Sequence, residues 1–198
     1  MTVQKVYFEE ADSMGTYVNP GNQAFKRISG SDYVDKTDLI SLMNDRVGGA
    51  ESLVCVSRPR RFGKSYAAKM LTAYYDCSCD SHKLFEGKKI AEADDYEEHL
   101  NKYNVICLDI SGFVSDIKMA GGSLRSVPIK IEQALWKDLV DEGFEPDSRD
   151  TLNDFLLRIV SNPNGKPFIF IIDEWDALIR EAKDDEEAQS AYLHLLRG

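Results

Sequence analysis

Residues 168–172 are apolar without a break: Phe168, Ile169, Phe170, Ile171 and Ile172. A strand with one face in water alternates apolar and polar residues, so an unbroken run predicts a strand covered on both faces. Two more short apolar runs, 52–57 and 105–110, predict strands as well. The segments between them are too long for hairpins and carry helical spacing. Val127, Ile131, Leu135 and Leu139 share one face, with Trp136 and Val140 alongside, and Gly143 is placed to end that helix. Leu152, Phe155, Leu156, Ile159 and Val160 form a second stripe, stopped at Asn162 and Pro163. Beyond Asp173 a last helix carries Ala188, Ala191, Tyr192, Leu195 and Leu196 on one side. Strands joined by helical crossovers predict an α/β fold with a parallel sheet and helices on both faces. Ligands in such sheets sit at the carboxyl ends of the strands.

Both chemically loaded segments lie at such ends. After 52–57 come Arg58, Pro59, Arg60, Arg61, Phe62, Gly63, Lys64 and Ser65, and then a helix with Ala67, Met70, Leu71 and Tyr74 on one face. The P-loop pattern is G-x-x-x-x-G-K-[S/T] between a strand and a helix. Here Arg58 stands in place of the first glycine. Gly63 lets the backbone approach a phosphate, and N–H groups at a helix start face the anion with the positive end of the helix dipole. Arg60, Arg61, Phe62, Gly63, Lys64 and Ser65 are thus the candidate nucleotide-binding residues, with Lys64 reaching the β and γ phosphates and Ser65 holding Mg²⁺. Arg58, Arg60, Arg61, Lys64 and Lys69 form a basic stretch without an acid among them, although the chain has 34 acidic against 24 basic residues. The stretch is better suited to a triphosphate than to a nucleic acid, because a net charge of −10 argues against a non-specific nucleic-acid coat.

The second segment is the end of 168–172, where Asp173 and Glu174 follow the apolar run. This is a Walker B arrangement with an added glutamate. Asp173 suits Mg²⁺, which takes oxygen ligands, and Glu174 suits the role of orienting and polarising an attacking water. A buried strand that simply leaves the core into a charged turn would give the same residues. Lys64 and Glu174 are the candidate catalytic pair, and Ser65 and Asp173 the candidate Mg²⁺ ligands. The 109 residues from Lys64 to Asp173 leave room for the strand at 105–110 between the two motifs.

Other features exclude more than they assign. No apolar run approaches the roughly 20 residues of a membrane helix. Residues 1–10 have no secretory pattern. Four cysteines do not make a disulfide framework at this length, and Cys55 and Cys107, inside apolar runs, are expected as buried small hydrophobes. Cys77, Cys79 and His82 lack a fourth metal ligand and the usual zinc spacing. A reducing, cytoplasmic setting is expected.

Five stretches carry a resemblance: residues 17–22 (Tyr17, Val18, Asn19, Pro20, Gly21, Asn22), 33–37 (Tyr33, Val34, Asp35, Lys36, Thr37), 57–65 with its Arg-Pro-Arg-Arg-Phe-Gly-Lys-Ser run, 84–87 (Leu84, Phe85, Glu86, Gly87) and 172–176 (Ile172, Asp173, Glu174, Trp175, Asp176). Together the chain resembles the bacterial AAA-ATPase-like family, whose members commonly carry a C-terminal PD-(D/E)XK nuclease-like domain. The resemblance makes Arg58 a family feature. It implies a P-loop NTPase three-layer sandwich with a parallel sheet of order 5-1-4-3-2. It also implies Mg²⁺-dependent ATP binding, and in the intact protein ATP hydrolysis coupled to an appended or partner domain, with DNA as a partner by resemblance alone. Residues 33–37 lie near the base in related ATPases, where packing or adenine contact are both open to them. Trp175 and Asp176 are open to a structural role, capping the following helix.

Counting strands 52–57, 105–110 and 168–172 as the first three leaves strands 4 and 5 missing. The expectation is therefore a lead-in of residues 1–34 packed on a core, and an AAA-ATPase-like domain over 35–198 that stops after the helix following Asp173 and Glu174. A non-hydrolysing nucleotide-binding regulatory or scaffold module is the alternative. A small-molecule kinase is disfavoured by Glu174 and by the absence of an arginine-rich lid. No inter-subunit arginine finger is identifiable, which leaves an oligomer open.

Overall fold

A computed structural model describes residues 15–30, 33–57 and 62–197 of the chain. Its centre is a parallel pair of strands, β1 (Asn104–Asp109) and β2 (Phe168–Asp173), in register from Asn104 opposite Phe168 to Asp109 opposite Asp173. Side chains alternate across the pair, and each face meets its own core. Val105, Cys107, Ile169 and Ile171 face one core; Ile106, Leu108, Phe168 and Ile172 face the other.

The first core is built by α1 (Gln23–Ser29), α2 (Asp38–Asn44), α3 (Lys64–Tyr75), α4 (His82–Phe85), a 3-10 turn at Lys89–Glu92 and α5 (Tyr96–His99). Phe25, Ile40, Tyr74, Tyr75 and Phe85 are almost fully buried there. The second core is built by α6 (Ile110–Met119), α7 (Val127–Asp141), α8 (Leu152–Val160), α9 (Ala177–Glu181) and α10 (Glu186–Arg197). Val127, Ile131, Leu135 and Leu139 of α7 are buried at helical spacing. That helix ends in a Schellman turn: Gly143 has φ +85°, its N–H reaches Val140 O, and the N–H of Phe144 reaches Leu139 O. A capping box of Thr151 and Asp154 starts α8. Helices on both faces of a parallel sheet make an α/β fold, as expected.

Three differences from the sequence reading have physical causes. Residues 52–57 are not a strand: Leu53 is 98% exposed, Val54 and Val56 are nearly half exposed, and Cys55 is at the surface instead of in a core. A strand exists by pairing, and in the expected order another strand stands between this segment and β2; none of the described residues supplies it. The sheet therefore has two of the three strands expected. The lead-in is not wholly irregular, since α1 lies within it. An extra helix, α6, follows β1 directly, nucleated where Asp109 accepts the Ser111 N–H at 2.9 Å.

The lead-in also closes one sheet edge. Val18 bridges Ile106, with Cys107 N donating to Tyr17 O and Asn19 N to Val105 O, each at 2.8 Å. Asn19 and Gly21 turn the chain at positive φ. The Asn19 Oδ1 accepts from Val105 N at 2.8 Å, and Gly21 N donates to the buried Asp76 at 2.6 Å. The other edge, along β2, has no strand beside it among the described residues, and Phe170 is half exposed there. No helix among the described residues is long and apolar enough to cross a membrane.

Candidate functional site

The site begins at Gly63, whose φ of +80° and ψ of +25° place it in the left-handed region immediately before α3. A side chain is strained in that conformation, so glycine is what lets the chain turn sharply into the helix. Ala67 N closes the first helical bond onto Gly63 O at 2.9 Å. Lys64 and Ser65 then stand in the first turn of the helix, whose N–H groups point out of its start. Gly63, Lys64 and Ser65 are partly exposed, and Phe62 is 61% exposed. Arg60 and Arg61, with Arg58, lie outside the described residues.

A helix of twelve residues carries this start against the sheet. α3 packs on both β1 and β2, burying Met70, Ala73, Tyr74 and Tyr75. In the turn after β2 the Asp176 carboxyl is held below the usual range mainly by its bond to Arg180, with the positive charge of Lys64 a minor contribution.

At the strand end, Asp173 lies beside Asp109 in the register of the two strands. Asp173 Oδ1 accepts the Glu174 N–H at 3.0 Å. Glu174 itself has φ +49°, an unusual conformation for a residue with a side chain. The turn that follows is fixed by Ala177 N donating to Glu174 O at 2.8 Å and by the buried Tyr192, whose hydroxyl donates to Trp175 O at 2.7 Å. Asp176 stands at the N-cap of α9, but its side chain makes no capping bond. It pairs instead with Arg180, which also reaches Glu174.

Residues 33–37 have mostly packing roles, with one exception. Thr37 is fully buried and its hydroxyl accepts from Ile90 N at 3.1 Å in place of a helix cap. Asp35 accepts from Thr37 N and Lys89 N, and the Tyr33 hydroxyl contacts Met70. Lys36 is the exception: its Nζ donates to Phe62 O at 3.3 Å, which adds a cation to the loop. Neither Lys36 nor Arg180 was singled out from sequence. The two partners lie 26 residues apart in the first pair, and in the second the glutamate precedes the helix, so neither pair has a local spacing to reveal it.

The metal-ligand types elsewhere are engaged within the fold. His82 is bonded to Asp80 and Glu97, the thiol of Cys77 contacts Asn104, and burial pushes the Cys79 thiol up to about 11. Among the described residues no three His, Cys, Asp or Glu side chains are grouped to hold a metal ion. A Mg²⁺ ion at Ser65 and Asp173 would have hydroxyl and carboxylate oxygens, the donor chemistry that ion takes, and bound phosphates would complete its shell.

A parallel strand pair with helices on both faces, and a glycine-led Lys-Ser helix start packed on it, make this an α/β protein. A family model described as Predicted AAA-ATPase matches residues 20–198, and the chain belongs to that AAA-ATPase-like family, with the nucleotide-binding function the family carries. Neither the curated proteins nor the solved structures gave a match to this chain.

Proposed function

We propose that the chain binds MgATP between the loop at 60–65 and the end of β2, and that the intact protein hydrolyses it. The observation that supports this reading most is the packing of α3, which starts at Lys64, on β2, which ends at Asp173. In this reading Arg60, Arg61 and the backbone from Phe62 to Ser65 hold the phosphates. Lys64 neutralises the β and γ oxygens, and the Ser65 hydroxyl and Asp173 hold Mg²⁺. The ion, once bound, draws charge from the transferring phosphoryl group. Glu174 takes a proton from the attacking water.

The finer fold proposal follows from the same geometry. The uncovered edge of β2 and the exposed apolar segment 52–57 suit a further strand between them, in the 5-1-4-3-2 order of P-loop ATPases. The nucleotide state would then pass to an appended or partner domain, for which a nuclease-like domain acting on DNA has only the family resemblance behind it.

The alternative is a binding module without turnover, in which the bond from Arg180 would hold the Glu174 carboxylate away from water. Phosphate release from labelled ATP by the full-length protein decides between them. Hydrolysis predicts free phosphate, lost in Lys64→Ala and Glu174→Gln, with Glu174→Gln still binding ATP. Tight binding without phosphate release would support the module, and a phosphorylated acceptor would support a kinase.

A further inference from the structure

Arg180 sits on α9, six residues after Glu174, and it bridges the two carboxylates on either side of Trp175. Its Nη2 donates to Glu174 Oε2 at 2.6 Å and its Nη1 to Asp176. The third donor, Nε, is buried without a hydrogen-bond partner among the described residues. The Arg180 side chain is about one-third exposed and the Glu174 side chain one-quarter exposed, so the pair is partly withdrawn from solvent. A guanidinium presents its donors in a rigid plane, and anchoring it at Asp176 therefore fixes where Nη2 points. A flexible ammonium would not carry that geometry.

The Glu174 backbone is fixed separately. Its positive φ is held by Asp173, by Ala177 and, one residue on, by Tyr192 through Trp175 O. Those bonds set the start of the side chain and leave its three torsions undetermined. The bond from Arg180 restrains the carboxylate at the far end.

We propose that Arg180 is the positioning residue for Glu174, holding the carboxylate in the orientation from which it takes a proton from water, with Asp176 as the anchor for Arg180. This rests on the ATPase reading above, because only a hydrolytic base needs its carboxylate oriented. A base must lie within hydrogen-bond reach of its proton, and misplacement by about 1 Å costs as much as about 100-fold in rate.

The test is steady-state ATP hydrolysis by the full-length protein and its Arg180→Ala, Arg180→Lys, Asp176→Asn and Glu174→Gln variants, with melting temperature and ATP affinity as controls of folding. Arg180→Ala is expected to lower kcat about 10- to 100-fold while KM stays within about twofold. Arg180→Lys recovers part of the loss, and Asp176→Asn falls between the parent and Arg180→Ala. The Arg180→Ala, Glu174→Gln double variant is no slower than Glu174→Gln alone, because both changes remove one function. Should Arg180→Ala fail to fold, Arg180→Lys and Asp176→Asn carry the same comparison. Turnover that depends on Glu174 but is unchanged or raised in Arg180→Ala, or full additivity in the double variant, overturns the positioning role alone. A parent protein without turnover overturns it together with the ATPase reading.

Discussion

Replacing Gly63 by alanine separates the cost of a strained backbone from the cost of a displaced phosphate loop. Gly63 has φ +80°, where a residue with a Cβ is destabilised by about 1–2 kcal/mol. The new Cβ would stand 3.3 Å from Lys36 Nζ, the mobile end of a long side chain, so steric conflict adds little. In a chain of this size that strain lowers the melting temperature by about 2–8 °C. The loop can escape the strain by rotating its peptide planes, which turns the Lys64 and Ser65 N–H groups away from a bound phosphate. Losing one charge-assisted hydrogen bond costs about 1.5–3 kcal/mol, or about 10- to 150-fold in affinity. The binding loss is therefore the larger effect. Melting curves with and without MgATP measure both: the ligand-free curve reports the strain, and the shift with nucleotide reports affinity. A Gly63→Ala protein that melts like the parent and keeps its full nucleotide-induced shift would refute the argument from the left-handed turn.

Three further outcomes are expected. Lys36→Ala removes an exposed bond to Phe62 O, so ATP affinity falls about two- to fivefold with little change in melting temperature; unchanged affinity in a titration would place Lys36 outside the site. Tyr192→Phe leaves Trp175 O without its 2.7 Å partner and lowers stability by about 1–3 kcal/mol, measured by urea unfolding; no loss would mean the bond does not hold the turn. Glu142 lies beside Asn19 and Gly15, and burial raises its pKa above the ordinary glutamate value, so the folded chain keeps this proton more tightly than the unfolded one. Its contribution is present at low pH and lost as pH rises through the interval above about 4.3, and Glu142→Gln should flatten stability against pH there. An identical slope in urea midpoints from pH 4 to 7 would contradict this.

The helices were legible because their information is local. The α7 stripe ending at Gly143 and the α8 stripe after Thr151 each need only neighbours within a few residues. α6 was hidden because its first residue, Ile110, continues the apolar run of β1, and the Asp109 cap onto Ser111 was the signal available. Residues 52–57 misled for the opposite reason: their composition suits a strand, but a ladder partner is not a local property. Lys64, Ser65, Asp173 and Glu174 could be proposed in advance because a helix start and a strand end are local features of the chain. Lys36 stood only within the stretch 33–37, because its partner Phe62 O lies 26 residues away, and Arg180 had its i,i+4 spacing to Asp176 as its one local signal.

In the proposed site the loop and the strand end share one nucleotide through one metal ion. Calorimetric titration of ATP into the full-length parent and its Asp173→Asn variant, each with and without Mg²⁺, tests it most directly. Mg²⁺ is expected to tighten ATP binding to the parent by about tenfold or more, and Asp173→Asn to lose this enhancement while still binding metal-free ATP. Equal enhancement by Mg²⁺ in both proteins would contradict it.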